Sequence, residues 1–124
     1  MTMTTLLLIL VALQVKHFVV DFPLQTRYQW SNKGTWGHPG GILHAGLHAI
    51  GTGGVIWFFT RDLPTAAILA AVDMVVHYHI DWAKMRLNHA MGWAPTTHPQ
   101  FWVLLGLDQF LHQLTYAGFL FWLV

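Results

Sequence analysis

Four long segments of the chain consist mostly of apolar residues, and connections rich in polar residues, Gly and Pro separate them. The pattern predicts α-helices over residues 5–22, 42–60, 64–84 and 100–124, with connections at residues 23–41 and 85–99. Each segment of about 18 to 25 residues rises about 1.5 Å per residue, which is enough to cross the roughly 30 Å hydrocarbon core of a membrane. Pro23 ends the first helix, whereas Pro64 and Pro99 suit the first turns of the third and fourth.

The connections predict how these helices are arranged. Arg61 and Asp62 form so short a link that the second and third helices run antiparallel as neighbours. Lys and Arg residues favour the cytoplasmic side of a membrane, and the side opposite this link holds most of them: Arg27, Lys33, Lys84 and Arg86. We therefore expect one all-α domain over residues 1–124, an integral-membrane four-helix bundle with both termini on the periplasmic side.

Composition supports a membrane protein and excludes several other classes. Charged residues make up 9% of the chain and hydrophobic residues 55%, whereas an average soluble domain has about 25% charged residues. The absence of cysteine excludes disulfides and thiolate metal ligands, and a net charge of +1 gives no support for nucleic-acid binding. The amino-terminal stretch lacks a basic region and a cleavage site, so we expect it to be retained as the first membrane helix.

Nine histidines are the unusual feature of the composition, and the candidate chemistry comes from their spacing. Residues four apart share one face of a helix, and each predicted helix carries a pair of His or Asp residues at this spacing. In the third helix Asp73 extends the pair His77 and Asp81 by one further step of four. All four pairs fall toward the predicted cytoplasmic ends of their helices, which predicts one shared site. The eight candidate metal ligands are His17, Asp21, His44, His48, His77, Asp81, Asp108 and His112.

The cost of placing carboxylates in a membrane favours a metal at this site. Each Asp near the middle of a membrane helix costs about 2.5 to 3.5 kcal/mol, which lipid-facing positions cannot offset. Imidazoles and carboxylates are ligands of zinc, manganese and iron, and three Asp charges with a hydroxide balance two divalent ions. We therefore expect one or two ions, with Asp21 or Asp73 as the catalytic base. The alternatives are a metal-free polar network or proton relay, and haem b held between two histidines.

Three further polar residues lie close to these pairs in the sequence. His79 points roughly opposite to His77, and we expect it to hydrogen-bond either to a metal ligand or to a neighbouring helix. Lys16 and Lys84 are expected to extend their ammonium groups toward the membrane interface. Lys84 also lies one turn from Asp81, where an ion pair is the other option.

Five motifs together resemble a known family. They are KHFVVDFPLQT at 16–26, NK at 32–33, HAGLH at 44–48, HYHIDWAK at 77–84 and DQFLHQL at 108–114. In this order, across nearly the whole chain, they resemble the small bacterial integral-membrane proteins of domain of unknown function 3307. The resemblance implies a bacterial inner-membrane location and no particular substrate. It also implies a polar core made of His17, Asp21, Gln25, Lys33, His44, His48, His77, Asp81, Lys84, Asp108, Gln109 and His112.

Two functions stay open on the sequence. The first is a metal-dependent membrane hydrolase acting on a lipid or lipid-linked substrate, since the site lies within one leaflet and Arg27, Lys33 and Lys84 could bind a phosphate. With iron, the same ligands would instead support oxygen chemistry in a di-iron redox protein. The second is a non-catalytic accessory subunit of a larger membrane complex, or a homo-oligomer, in which the cluster is a structural metal site or a polar core. Membrane lipids surround the protein in either case.

Overall fold

The computed structural model describes all residues from Met1 to Val124 and contains helices and turns but no strand. The helices in chain order are α1 (Met3–Asp21), α2 (Arg27–Trp30), α3 (Pro39–Thr60), α4 (Leu63–Met91) and α5 (Pro99–Leu123). The predicted all-α class is therefore confirmed. The four long helices correspond to the four predicted segments, and α2 is an additional short helix within the first connection.

α1 begins at a threonine cap and ends shortly before a proline. The Thr2 hydroxyl oxygen accepts a hydrogen bond from the Thr5 backbone N–H at 3.1 Å, which satisfies one free amide of the first turn. The helix ends at Asp21, two residues before Pro23, which has no backbone N–H to continue the ladder. Asp21 therefore stands at the point where α1 meets the first connection.

α3 and α4 form an antiparallel pair joined by a tight turn. Arg61 ends α3 with a φ of 56°, in the left-handed region. Asp62 caps α4 by accepting a hydrogen bond from the Thr65 backbone N–H at 3.2 Å. A Cβ at Gly53 would lie 3.3 Å from Ala70 Cβ, so small residues allow the two helices to approach closely, as in other membrane helix pairs.

α4 is longer than the sequence pattern predicted. We expected it to end at residue 84, because Arg86, Asn88 and His89 resemble a polar connection, but the helix continues to Met91. None of these residues breaks a helix, and the end comes only at Gly92, whose φ of 67° favours glycine. The second connection therefore shortens from residues 85–99 to residues 92–98.

The first connection is also more ordered than predicted. α3 begins at Pro39 rather than at residue 42, because Pro fits the first turn of a helix and the His38 ring accepts a hydrogen bond from the Gly40 N–H at 3.0 Å. The short helix α2 packs against α3. Residues 22–38 consequently fold as a cover over the ends of α1 and α3.

The four long helices enclose one interior with two different halves. α1 contacts α3 and α5, and α4 contacts the same two helices. The half near the α3–α4 turn is an apolar core made of Ile9, Leu13, Ile56, Ala66, Leu69, Tyr116 and Phe119. The half beneath the first connection is filled instead by buried polar side chains.

The outer surface of the helices is apolar and suits contact with lipid. Large side chains such as Ile50, Val103 and Phe121 are 75%, 71% and 84% exposed. α1, α3 and α4 are long and apolar enough to cross a membrane. α5 has sufficient length but is not among these three, because polar residues such as Asp108 and Gln109 reduce its mean hydropathy. Three candidate spans indicate a membrane protein.

Candidate metal centre

All eight sequence-predicted ligand residues are buried in the same half of the interior. α1 contributes its pair from its last two turns, α3 from its first half, and α4 and α5 from near their middles. Each of the eight is 4% exposed or less. α4 continues ten residues past Asp81. The site therefore lies about 15 Å from the carboxyl-terminal end of α4, farther from that end than the sequence predicted.

One compact donor group consists of Asp21, His44, His48 and His77. Asp21 Oδ1 lies 3.0 Å from His44 Nε2 and 2.8 Å from His48 Nε2. His77 Nε2 is 3.6 Å from the same oxygen and 3.3 Å from His44 Nε2. Four donors bound about 2.0 to 2.1 Å from a tetrahedral zinc ion are about 3.3 Å from one another. The measured separations therefore suit one metal ion.

A second donor group consists of His77, Asp81 and His112. Asp81 Oδ1 lies 3.3 Å from His112 Nε2, while Asp81 Oδ2 lies 3.2 Å from His77 Nε2 and 3.3 Å from His44 Nε2. Asp108 Oδ1 is 3.4 Å from His112 Nε2 and, although buried, has no hydrogen-bond partner. The two oxygens of Asp81 thus lie against different histidines, His112 on one side and His44 and His77 on the other, so that either oxygen would be available to hold an ion.

The hydrogen bonds of His44 leave its Nε2 facing two carboxylate oxygens. His44 Nδ1 is 3.1 Å from Gln29 Oε1, so with the amide oriented this way a neutral ring places its only N–H there. His44 Nε2 then presents a lone pair to the carboxylate oxygens of Asp21 and Asp81, at 3.0 and 3.3 Å. Three atoms bearing lone pairs repel one another unless a proton or a metal ion lies between them.

The His77 ring is stacked between two other histidine rings. Its centroid lies 3.6 Å from that of His48 and 4.0 Å from that of His112, with interplanar angles of 25° and 20°. Imidazolium cations at these distances would repel one another strongly in a buried site. Neutral rings, which are the form that binds metals, can stack in this way.

Lys16 is buried beside the site, so the prediction that it extends to the membrane interface is wrong. Its Nζ donates to Asp73 Oδ2 at 2.9 Å and to the Tyr116 hydroxyl at 2.8 Å. It also lies 3.2 Å from His48 Nδ1. A protonated Lys16 donates to that nitrogen, which places the ring N–H of His48 on Nε2, facing Asp21. In this form only Asp21, His44 and His77 of the first donor group offer lone pairs to an ion. In this tautomer His48 holds Asp21 through a hydrogen bond.

Asp73, predicted as a catalytic base, lies outside both donor groups. It is 1% exposed, and its Oδ2 accepts hydrogen bonds from Lys16 and from the Thr52 hydroxyl. Its carboxylate reaches the first donor group only through Lys16 and His48. A proton moving between Asp73 and the donor groups would therefore pass along this path.

His17, predicted as a ligand, also lies outside the two donor groups. Its Nε2 is 3.0 Å from both Asp21 Oδ2 and Gln109 Oε1, and its Nδ1 is 3.0 Å from the Tyr116 hydroxyl. Two acceptors at Nε2 require a ring N–H there, so Nδ1 accepts from the Tyr116 hydroxyl. Gln109 Nε2 donates to the same Asp21 oxygen at 3.2 Å. These contacts orient Asp21 and leave its Oδ1 facing the first donor group.

Lys33 lies in the first connection, and its side chain covers the site on the side of that connection. Its Nζ donates to Gln25 Oε1 at 2.9 Å and to Asp81 Oδ2 at 3.3 Å. Burial disfavours its charged form, but the nearby carboxylates of Asp81, Asp21 and Asp108 outweigh burial and raise its pKa. Lys33 is therefore a fixed positive charge against the candidate ligands.

Two other sequence expectations change. Lys84 lies 3.4 Å from Asp108 Oδ2 and pairs with this residue instead of Asp81, whose Oδ2 already contacts Lys33. His79 is exposed, and its Nδ1–H donates to Val75 O at 2.7 Å, within its own helix. The expected bond from His79 to a metal ligand or to a neighbouring helix is therefore wrong.

Sequence reasoning missed three residues that contact the site. Thr52 lies four residues after His48, and Tyr116 lies four after His112, so each extends a predicted helix face by one turn. That spacing is a signal from which both could have been found. Gln29 lies in the first connection, where no helical periodicity points toward the site.

Comparison with known proteins provides a family but no activity. The chain matches the family described as "Protein of unknown function (DUF3307)" over residues 9–122, which is nearly its whole length. The resemblance seen in the five motifs is therefore confirmed. No curated protein and no solved structure matches the chain.

Proposed function

The chain belongs to the DUF3307 family of proteins of unknown function, and we propose that it is a metal-dependent hydrolase of the bacterial inner membrane. Its substrate is a lipid or a lipid-linked molecule. Support for this substrate comes from the position of the site, which lies among helices whose outer faces are apolar. A large exposed apolar surface marks contact with a membrane, in which a lipid substrate is already concentrated.

The proposed enzyme is a multi-pass four-helix bundle in which α1, α3, α4 and α5 cross the membrane. Arg27, Lys33, Lys84 and Arg86 lie at the end covered by the first connection, and Arg61 lies at the other end. The positive-inside bias then places both termini in the periplasm.

Single cysteines test this orientation, because the native chain has none. We expect a cysteine at Thr2 to react with a membrane-impermeant maleimide on intact cells with a permeable outer membrane. A cysteine at Ser31 should react only after the inner membrane is opened. The reverse labelling pattern would show that the orientation is inverted.

The metal proposal depends on the convergence of ring nitrogens and carboxylate oxygens. In a metal-free network each carboxylate oxygen would face an N–H or an ammonium group. Here the Nε2 lone pair of His44 faces two carboxylates, and Asp108 Oδ1 faces no donor within hydrogen-bond geometry. The donors are all nitrogen and oxygen, which suits zinc, manganese or iron.

The chemistry of a hydrolase would be divided between the ion and the carboxylates. A bound divalent ion would lower the pKa of a water molecule, to about 7 in zinc enzymes, and would polarise a phosphoryl or carbonyl oxygen. Asp21 and Asp73 are candidate bases from the sequence, but both oxygens of Asp21 contact histidines, and Asp73 lies outside both donor groups with its Oδ2 bound to Lys16. Asp108 Oδ1 has no hydrogen bond and lies 3.4 Å from His112 Nε2, so we assign it the proton-accepting role.

Elemental analysis of the protein purified without chelator tests the metal proposal. We expect at least one zinc, manganese or iron ion per chain, and loss of that ion in His77→Ala, since His77 belongs to both donor groups. His79→Ala is the matched control, because His79 lies on the same helix but is exposed and outside both groups. A metal content near zero in the wild type, or an unchanged content in His77→Ala, would refute the proposal.

A second candidate function is supported by the closure of the first donor group. When Lys16 is neutral and accepts the Nδ1–H of His48, Asp21, His44, His48 and His77 supply four ligands, which complete a tetrahedral shell. Closed shells are typical of structural sites. The protein would then be a non-catalytic accessory subunit of a larger membrane complex. Incubation of the metal-loaded protein with bacterial lipid extract separates the candidates, because only the hydrolase releases head groups or acyl chains.

A further inference from the structure

A cavity of about 380 Å³ lies beside the site, between the first connection, the last part of α4 and the start of α5. We propose that this cavity binds the phosphate-bearing head group of a membrane amphiphile, with Lys33 and Lys84 as its anion receptors. The inference rests on the proposed function, because it names the substrate class of that same site.

The cavity walls have the mixed character of an amphiphile. Trp30, Met85, Phe101, Leu104 and Leu105 supply apolar surface to the wall. Such a surface gains about 25 cal/mol for each Å² of hydrocarbon that it removes from water. The part of the ligand nearest these side chains is therefore apolar, as in the glycerol and acyl region of a lipid.

The two lysines of the cavity lie directly against candidate metal ligands. Lys33 Nζ is 3.3 Å from Asp81 Oδ2, and Lys84 Nζ is 3.4 Å from Asp108 Oδ2. Both side chains also line the cavity. A phosphate bound between the two ammonium groups would consequently lie next to the second donor group.

The charges of the site favour an anion once a metal is bound. Three carboxylates, those of Asp21, Asp81 and Asp108, and the two ammonium groups leave a net charge of −1 with neutral histidines. One divalent ion changes this charge to +1, and two change it to +3. Lysine binds phosphate as a point charge. A negatively charged phosphate ester would therefore offset the positive net charge that the site has once an ion is bound.

Asn88 supplies a hydrogen-bond acceptor to the same cavity. Its Nδ2 donates to Trp93 O at 3.1 Å, while its Oδ1 is buried and has no partner. A buried acceptor without a donor costs about 1 to 3 kcal/mol, and a hydroxyl or amine on the head group would satisfy it. The cavity thus offers two ammonium groups, a hydrogen-bond acceptor and apolar walls. This combination favours binding of an amphiphile over binding of a free anion.

Binding, measured separately from turnover, tests the inference. Metal-loaded protein in detergent is titrated calorimetrically with dioctanoyl phosphatidylglycerol, with dioctanoylglycerol and with glycerol 1-phosphate. These probes are the complete amphiphile, its chains without phosphate, and its head group without chains. We expect phosphatidylglycerol to bind at least about tenfold more tightly than either of the others.

Two matched variants assign that preference to the cavity. In Lys84→Met the preference for phosphatidylglycerol over dioctanoylglycerol should fall to about threefold or less. In Arg86→Gln it should be unchanged, because Arg86 carries the same charge on the same helix but does not line the cavity. Leu105→Trp, which fills the cavity, should weaken the binding of both amphiphiles.

Several results would overturn the inference. Equal binding of the two amphiphiles, an unchanged preference in Lys84→Met, or tighter binding of glycerol 1-phosphate than of the lipid would each do so. The metal content of every sample is measured as well, so that failure of the cavity assignment can be distinguished from failure of the proposed function. Metal-loaded protein without a phosphate preference contradicts only the cavity assignment, whereas metal-free protein that retains the preference upholds the cavity and contradicts the metal site.

Discussion

The buried ion pair between Lys16 and Asp73 gives a prediction whose size follows from the structure. Lys16 Nζ and Asp73 Oδ2 are 2.9 Å apart, and the two side chains are 7% and 2% exposed. Lys16→Met leaves the Asp73 carboxylate with Thr52 as its remaining donor. Removing one partner of a buried pair costs about 3 to 5 kcal/mol, because the other charge stays desolvated and unpaired.

A double-mutant cycle isolates the energy of this pair. Asp73→Asn alone should also be destabilising, since it leaves the Lys16 ammonium without its carboxylate. The double variant carries neither charge, so it should be more stable than the sum of the two single effects predicts. We expect a coupling energy of about 2 to 3 kcal/mol.

Reversible unfolding in mixed micelles, followed by tryptophan fluorescence, measures the four free energies of unfolding. Arg86→Met is the control for loss of an exposed cation and should change stability by less than about 0.5 kcal/mol. If the single effects of Lys16→Met and Asp73→Asn add to within about 0.5 kcal/mol, the two side chains are not coupled and the reasoning fails.

Three further predictions follow from the same region. Gly51→Ala should lose about 1 to 3 kcal/mol of stability in thermal unfolding, because its Cβ would lie 2.5 Å from Lys16 Cγ, whereas Gly54→Ala meets nothing within 4 Å and should be tolerated. Tyr116→Phe removes the hydroxyl between Lys16 and His17 and should cost about 1 to 3 kcal/mol by the same measurement. Dialysis against a chelator should lower the thermal midpoint, because a metal at 100 times its Kd contributes about 2.7 kcal/mol.

Each of these predictions has an outcome that counts against it. Equal midpoints for Gly51→Ala and Gly54→Ala would show that Lys16 does not pack against α3. If the Tyr116→Phe protein is as stable as the wild type, the Tyr116 hydroxyl does not stabilise the protein through its hydrogen bonds to Lys16 and His17. A midpoint that chelation leaves unchanged would mean that no bound metal stabilises the fold.

The sequence predicted the helix faces of the site because these faces depend on local spacing. His77 and Asp81 are four residues apart, and helix geometry alone places them on one side. The same rule applies to the other three pairs. Nothing in the spacing required the four faces to meet, but buried carboxylates gain a favourable environment only when they do.

The roles of individual histidines could not be predicted from the sequence. His17 and His48 have the same spacing signal as His44, yet their tautomers depend on neighbours from other helices. Gln109, together with Asp21, sets the tautomer of His17, and Lys16 sets that of His48. Such contacts are made across the interior, so a pattern along one helix carries no information about them.

The extent of α4 and the cover over the site were also beyond the sequence pattern. The polar residues after Lys84 suggested a connection. A loss of hydrophobicity along the chain indicates where a helix leaves the lipid, but it does not indicate where the helix ends. α4 continues to its glycine cap at Gly92. Gln29 and Lys33 belong to a connection without periodicity, and only its packing against α3 brings them to the site.

X-ray absorption at the edge of the co-purified metal tests most directly whether histidine nitrogens and aspartate oxygens bind an ion here. We predict two or three imidazole nitrogens at about 2.0 to 2.1 Å together with carboxylate oxygen, and a weaker imidazole signal in metal that His77→Ala retains. A spectrum with oxygen neighbours alone, identical in the wild type and in His77→Ala, would contradict a metal centre built from these residues.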